Sequence, residues 1–380
     1  MINFLNNYRG IDVNRNALNK VLSLSLSQSL SLKGIALLAL LAHHLFYHSG
    51  KYLDIHLSGN IYLVNQIGLI CKVCVPLFVF LSGYGLTIMA DKKGIVSKRI
   101  FYVRRFTKLM SNYWLIWLIF VPIGILFMDR SFENVYIDHS ISFCLIADLM
   151  GLSSALGLPS YNATWWFYSC IIMLYLLFPF IYQMIQKSII NTYICLASSI
   201  LIAFCPLTFI QPIRYYLLTF LLGIVFANGT IIKVLFPFKV FRNGILFRCV
   251  EGHALKYEKI VLVFCLLGAM LIRNFLFYAL LFDTLICILI YLCYINIRIG
   301  DYCNGMLTFL GKHSFNIYLF HTFIYYFYWP NLVFWSSNPV AIFFSLLLIC
   351  LSISMLIEAL KQRLGFYKFV QAIEIYLSKN

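Results

Sequence analysis

The chain has 380 residues, of which 62% are hydrophobic and only 11% charged, where a soluble domain carries about a quarter charged residues. That balance excludes an ordinary water-soluble protein and makes the lipid bilayer the first partner. A formal charge of +16 would suit nucleic acid, but the positive residues gather in short loops between apolar runs, which is the topology bias of membrane proteins, and no nucleic-acid partner is expected.

Taken from the N-terminus, residues 1–32 lack a charged start, an apolar stretch and a small-residue cleavage site in order, so no cleavable signal peptide is expected. The Ser/Leu alternation VLSLSLSQSLSL reads as an amphipathic cytoplasmic lead-in, lying at the interface or starting the first helix early. Ten helical spans are predicted, at 33–50, 68–90, 109–128, 164–186, 189–206, 213–229, 259–273, 276–297, 307–328 and 338–360. The expected fold is therefore all-α, a polytopic membrane helix bundle in one domain over 1–380, with 361–380 as a cytoplasmic tail and no fused extracytoplasmic domain.

The first span holds the most informative residues. In SLKGIALLALLAHHLFY, Lys33 opens the run and His43 and His44 follow ten and eleven residues later. At a rise of about 1.5 Å per residue they lie roughly 15 Å deep, near the midplane of a hydrocarbon core about 30 Å thick. A desolvated imidazole survives there only with partners or with chemistry to perform, and it is the group able to take a proton at neutral pH. Adjacent helical residues point about 100° apart, so the two rings cannot face one cavity squarely.

The second span contains Cys71 and Cys74 in a CxxC with no second CxxC or paired histidine, which reads as buried thiols rather than a zinc or redox site. Between the second and third spans, Lys92, Lys93, Lys98, Arg99, Arg104, Arg105 and Lys108 stand against Asp91. The loop at 230–259 and the tail are also basic, whereas 129–139 is acidic and 329–337 uncharged. With ten spans every strongly basic segment falls on one side, which puts both termini in the cytoplasm. Residues 140–158 are apolar but broken by Asp148, serines and two glycines; a full span there would reverse the downstream loops, so the segment is expected to be interfacial or re-entrant on the external face. Asp283 in the eighth span is the most isolated intramembrane acid, a candidate for orienting a histidine or touching substrate. In the ninth, Ser314, Tyr318 and His321 recur at helical spacing as a polar stripe suited to a cavity or to inter-helix hydrogen bonds.

Five blocks in this order, KGIALLALLAHH, VPLFVFLSGYGL, RRFTKLMSNYW, WWFYSCIIMLYLLFP and FLGKHSFNIYLFH, resemble the acyltransferase-3 family of integral membrane enzymes that move acyl groups, commonly acetyl, onto sugars of surface glycans. The resemblance runs from about residue 30 to 325. It implies a ten-helix core in the inner (cytoplasmic) cell membrane, an acyl-coenzyme A donor on the cytoplasmic side, a carbohydrate acceptor and no permanently bound cofactor or metal. It implies His44 as general base, with His43 and His321 as further catalytic candidates. Lys33, Arg104, Arg105 and Lys108 would bind the donor's phosphates, with lysine at positions 33 and 108 where arginine is usual, losing its flat, two-pronged geometry. Ser82 and Tyr84 of the Ser-Gly-aromatic block, Trp166, Ser314, Tyr318 and Asp283 are the acceptor-side candidates. Small residues around Ser82 also suit close helix packing, and Trp166 also suits an aromatic belt. The fourth block carries Ile171 where many members carry glutamate, so no acid is assigned from that helix. A separate partner enzyme or a homo-oligomer stays open. So do two other functions, a transporter or flippase for lipid-linked sugars and a glycan polymerase, neither of which gives a reason for histidines ten and eleven residues after a basic helix start.

Overall fold

The computed structural model describes residues 24–47, 61–93, 97–205, 211–236, 244–276 and 279–379. Among them the chain is mostly helical, with turns and loops between helices and no strand. The principal helices are α1 (Leu26–Phe46), α2 (Ile61–Ile70), α3 (Cys74–Lys93), α4 (Lys98–Phe127), α5 (Ile141–Leu149), α6 (Trp166–Lys187), α7 (Ile189–Ala203), α8 (Leu217–Ala227), α9 (Ile245–Glu251), α10 (Lys256–Arg273), α11 (Ala279–Asn296), α12 (Asp301–Thr322), α13 (Pro339–Arg363) and α14 (Phe366–Lys379). Among the described residues, five helical stretches are long and apolar enough to cross a membrane: Leu26–Phe46, Tyr62–Lys92, Lys98–Phe127, Ala163–Lys187 and Pro339–Arg363; shorter apolar helices accompany them.

The first helix starts at Leu26, seven residues ahead of the expected span. Ser25 caps it: its side chain accepts from the backbone N–H of Gln28, and the Gln28 side chain accepts from the Ser25 N–H, closing a capping box. The alternating serines then serve helix packing. Ser31 donates to Asn304 Oδ1 at 2.5 Å, and Ser27 meets the Thr308 hydroxyl at 3.1 Å, so α1 and α12 are bonded where both begin. Glycines let the two backbones touch. A methyl group on Gly34 would strike the Leu307 carbonyl, and one on Gly311 would strike the Leu30 carbonyl. The same reciprocal contact recurs between α3 and α8, where Gly83 meets the Phe220 carbonyl and Gly223 the Phe80 carbonyl. Apolar tails give helices no hydrophobic reason to associate in a bilayer, so close backbone packing and cross-helix hydrogen bonds carry the association.

Two breaks in helical winding frame the centre. Residues Cys71–Val73 form a 3₁₀ turn between α2 and α3, and Phe323–Tyr328 form a π-helical turn at the end of α12. The 140–158 region holds only the nine-residue α5 and a 3₁₀ turn at Ser154–Leu156; nine residues span about 13 Å, too short to cross. A buried carboxylate organises this region. Asp148 accepts from Tyr136 (2.8 Å), Ser153 (2.7 Å), Ser160 (2.6 Å) and the Tyr161 N–H (2.5 Å). The tail forms α14, which packs on α4.

Candidate active site

Parallel packing of α1 and α12 brings their far ends together, and there the chain gathers its ring nitrogens. The His44 and His321 rings lie 4.9 Å apart between centroids. Tyr325, from the π-turn, places its phenol oxygen 3.4 Å from His44 Nδ1. His321 is fully buried, and its Nδ1 stands 3.1 Å from the Ile317 carbonyl and 3.0 Å from that of Tyr318. Carbonyls only accept, so Nδ1 carries the hydrogen and Nε2 is the lone-pair nitrogen in the neutral ring. Thr322 Oγ1 lies 3.4 Å from that Nε2.

His43 goes elsewhere. Its Nδ1 is 2.8 Å from the Gly68 carbonyl on α2, and its ring stacks on Tyr47 at 5.3 Å. The adjacent histidines thus divide as the 100° step requires: His43 ties α1 to the helix leading into the 3₁₀ turn, and His44 joins His321 and Tyr325.

The predicted stripe on α12 also divides. Ser314 donates to the Gly311 carbonyl of its own helix at 2.8 Å. Tyr318 donates to the Thr164 carbonyl at 3.0 Å and its ring packs perpendicular to that of Phe167 at 5.3 Å. Trp165 Nε1 donates to the Leu319 carbonyl at 2.9 Å, and the Thr164 and Thr322 hydroxyls meet at 3.0 Å. The start of α6 is therefore fastened along α12 just before His321. Trp166 stands on the other side of that start, stacked on Tyr216 at 5.7 Å.

About three turns back along α1 from His44, Lys33 lies within Coulombic reach of Lys108 and Arg105. Arg105 donates to Met89 Sδ, yet its Nε is a buried donor with no partner. Its guanidinium also senses the phenol of Tyr175, which is hydrogen-bonded to Ser82. Ser82 thus belongs with the basic end rather than with the histidines. Arg104 is half exposed and ion-paired with Glu374 of α14 at 3.2 Å. Tyr84 accepts from the Leu24 N–H at 2.7 Å and its ring lies 6.3 Å from that of Tyr291; it holds the start of α1.

Asp283 departs from its expected isolation. It receives a two-pronged pair from Arg273, at 2.7 and 2.8 Å, with both groups buried. An intramembrane carboxylate is tolerable when a guanidinium neutralises it, and this pair joins α10 to α11 instead of orienting a histidine. Arg273 closes the predicted span 259–273, and Asp283, ten residues on, was the signal for its pairing. Tyr325 was hidden in FIYYFY, an aromatic run that reads as an interfacial belt, although its position four residues after His321 was visible.

The arrangement offers a cluster of three polar rings within the bundle, a basic cluster around Lys33 about three turns back along α1 that includes an unsatisfied guanidinium N–H of Arg105 from α4, and aromatic side chains at the start of α6. A family model described as an acyltransferase domain matches residues 31–359. No curated protein and no solved structure matches the chain.

Proposed function

This chain belongs to the acyltransferase-3 family and is an acyltransferase, and from that premise we propose that it transfers an acyl group, acetyl in the first instance, from acyl-coenzyme A to a hydroxyl of a surface polysaccharide or its lipid-linked precursor. The protein would cross the cytoplasmic cell membrane ten times, with both termini inside. The observation that carries this reading is the placement of His44 beside His321 and Tyr325, eleven residues and about 16 Å along one helix from Lys33.

The basic end suits the donor. Lys33, Arg105 and Lys108 offer three cations to the diphosphate and 3′-phosphate of coenzyme A, and the buried Arg105 Nε has a hydrogen to give to such an anion. The thioester would then reach along α1 to His44. There the acceptor's hydroxyl oxygen attacks the thioester carbonyl carbon and a C–O bond forms. The hydroxyl proton passes to the His44 imidazole, the C–S bond breaks, and the imidazolium returns the proton to the departing thiolate. General-base catalysis of this kind contributes about 10²–10⁴ in rate. His321, with Nε2 as its lone-pair nitrogen, stands where it can help hold the acceptor hydroxyl. Trp166, half-buried and backed by Tyr216, offers an aromatic face suited to a sugar.

The test is thiol release from acetyl-coenzyme A by the purified protein in lipid nanodiscs, with a comparison of glycan mass between cells with and without it. Thioester turnover by the wild type and none by His44→Gln is the expected result. Full turnover by His44→Gln overturns the assignment, and a glycan that gains no acyl unit overturns the acceptor.

A further inference from the structure

A base must present a lone pair at a defined position, and an imidazole has two nitrogens that exchange roles with tautomer. We propose that Tyr325 is the positioning residue of this site: its phenol oxygen accepts the hydrogen on His44 Nδ1 and thereby fixes the tautomer in which Nε2 takes the acceptor's proton. This inference rests on the acyltransferase reading of His44.

The geometry comes from the π-turn. Tyr325 Oη lies 3.4 Å from His44 Nδ1, and the Tyr325 ring runs nearly parallel to that of His321, 6.0 Å away. Tyr325 is 2% exposed, so bulk water does not reach its oxygen. A hydroxyl can donate or accept. Were the phenol to donate, Nδ1 would be the lone-pair nitrogen and already engaged, and the neutral ring would carry its hydrogen on Nε2 with no basic nitrogen to offer. A basic His44 therefore requires the phenol to accept.

The π-turn is held from its far side. Arg130 lays its guanidinium 3.7 Å from the Phe327 ring centroid and donates to the Tyr161 carbonyl at 2.8 Å. Tyr328 donates to the Phe120 carbonyl at 2.7 Å, and the Phe323 ring stacks on Phe120. Widened helical turns are rare and recur at functional sites. Here the turn is clamped on both sides of Tyr325, which gives the phenol a fixed address against α1. Among the described residues, the titratable groups near this part of α1 include His43 on the same helix, Tyr47 just after it and His321 from α12, and the elements packed on α1 that carry Cys71, Lys72 and Cys74 are the 3₁₀ turn and α3.

As His44 gains a proton, its Nδ1–H becomes a stronger donor and the phenol oxygen stabilises the imidazolium. Removing that oxygen lets the ring lose its proton more readily. In Tyr325→Phe the acidic limb of the kcat–pH profile for thiol release from acetyl-coenzyme A should move to lower pH, and kcat should fall about tenfold or more. KM for the donor should change by less than about twofold, because the donor's cations cluster around Lys33, about three turns along α1 from His44. A merely structural loss would lower activity and leave the limb in place. Replacing Tyr325 with 3-fluorotyrosine, which keeps the ring's shape and makes its oxygen a poorer acceptor, should move the limb in the same direction by less. It serves as the test if the Phe variant does not fold. An unmoved limb in both variants overturns the proposal. His44→Gln separates the two layers: if it is inactive while Tyr325→Phe matches wild type, only the role of Tyr325 falls. If His44→Gln is active, the acyl-transfer role of His44 falls with it.

Discussion

The imidazoles of His44 and His321 meet at 4.9 Å between ring centroids, although one ends the first helix and the other ends the twelfth. Two contacts near the starts of those helices set this up, Ser31 with Asn304 and Gly34 against the Leu307 backbone. Fixing two parallel helices at close approach leaves their last turns little freedom, so the site is built by packing some four turns away.

The two adjacent histidines should separate cleanly on substitution. His44→Gln should lower acyl transfer by about 100-fold or more with an unchanged melting temperature in detergent. His43→Gln should retain transfer and melt earlier, since loss of its Nδ1–H strips the Gly68 carbonyl of a partner worth about 1–3 kcal/mol. Activity and thermal melting on both variants check this; a His43→Gln protein that is stable and inactive would reverse the roles.

The arginines of α4 should also part. Arg105→Gln should weaken acyl-coenzyme A binding about tenfold, the effect of losing one charge-assisted hydrogen bond of about 1.5–3 kcal/mol. Arg104→Gln should change affinity by no more than twofold, because Arg104 is half exposed and engaged with Glu374, and exposed pairs contribute about 0–1 kcal/mol. Titration calorimetry with coenzyme A measures both, and equal losses would contradict this division.

Helix packing predicts a paired result on α12. Gly311→Val should destabilise by several kcal/mol, because its methyls would overlap the Leu30 backbone and overpacking a fitted contact costs about 1–3 kcal/mol or more. Gly305→Ala, on the same helix with nothing within 4 Å of the added methyl, should stabilise by about 0.5–1 kcal/mol through helix propensity. Melting curves in one detergent decide it; similar behaviour of the two variants would refute the close-approach account.

For the buried ion pair, Asp283→Asn should destabilise by about 3–5 kcal/mol, since it leaves Arg273 uncompensated in an apolar setting. The double change Arg273→Met with Asp283→Leu should recover most of that loss and keep activity. An inactive but stable double variant would return Asp283 to the catalytic site.

Much of the helical frame was legible because an apolar run of membrane length has few alternatives in lipid. The start of α1 was harder to read. Its Ser/Leu alternation has a period of two on paper, yet Ser25 and Gln28 close a helical cap and Ser27 and Ser31 find partners on α12. Those partners lie almost the whole chain away, beyond the reach of any local pattern. The expected stripe of Ser314, Tyr318 and His321 shows the opposite case: the spacing was read correctly, but each hydroxyl had a carbonyl within reach that spacing does not reveal.

Composition and order along the chain determined that this protein belongs in a bilayer and that its fold is helical. These are consequences of hydropathy and of a fixed rise per residue, both local properties. Tertiary packing decided which histidine joins His321, which acid is neutralised and which tyrosine reaches His44. Each of those depends on a partner from a distant helix, and in lipid a polar group takes whichever partner packing brings within hydrogen-bond distance.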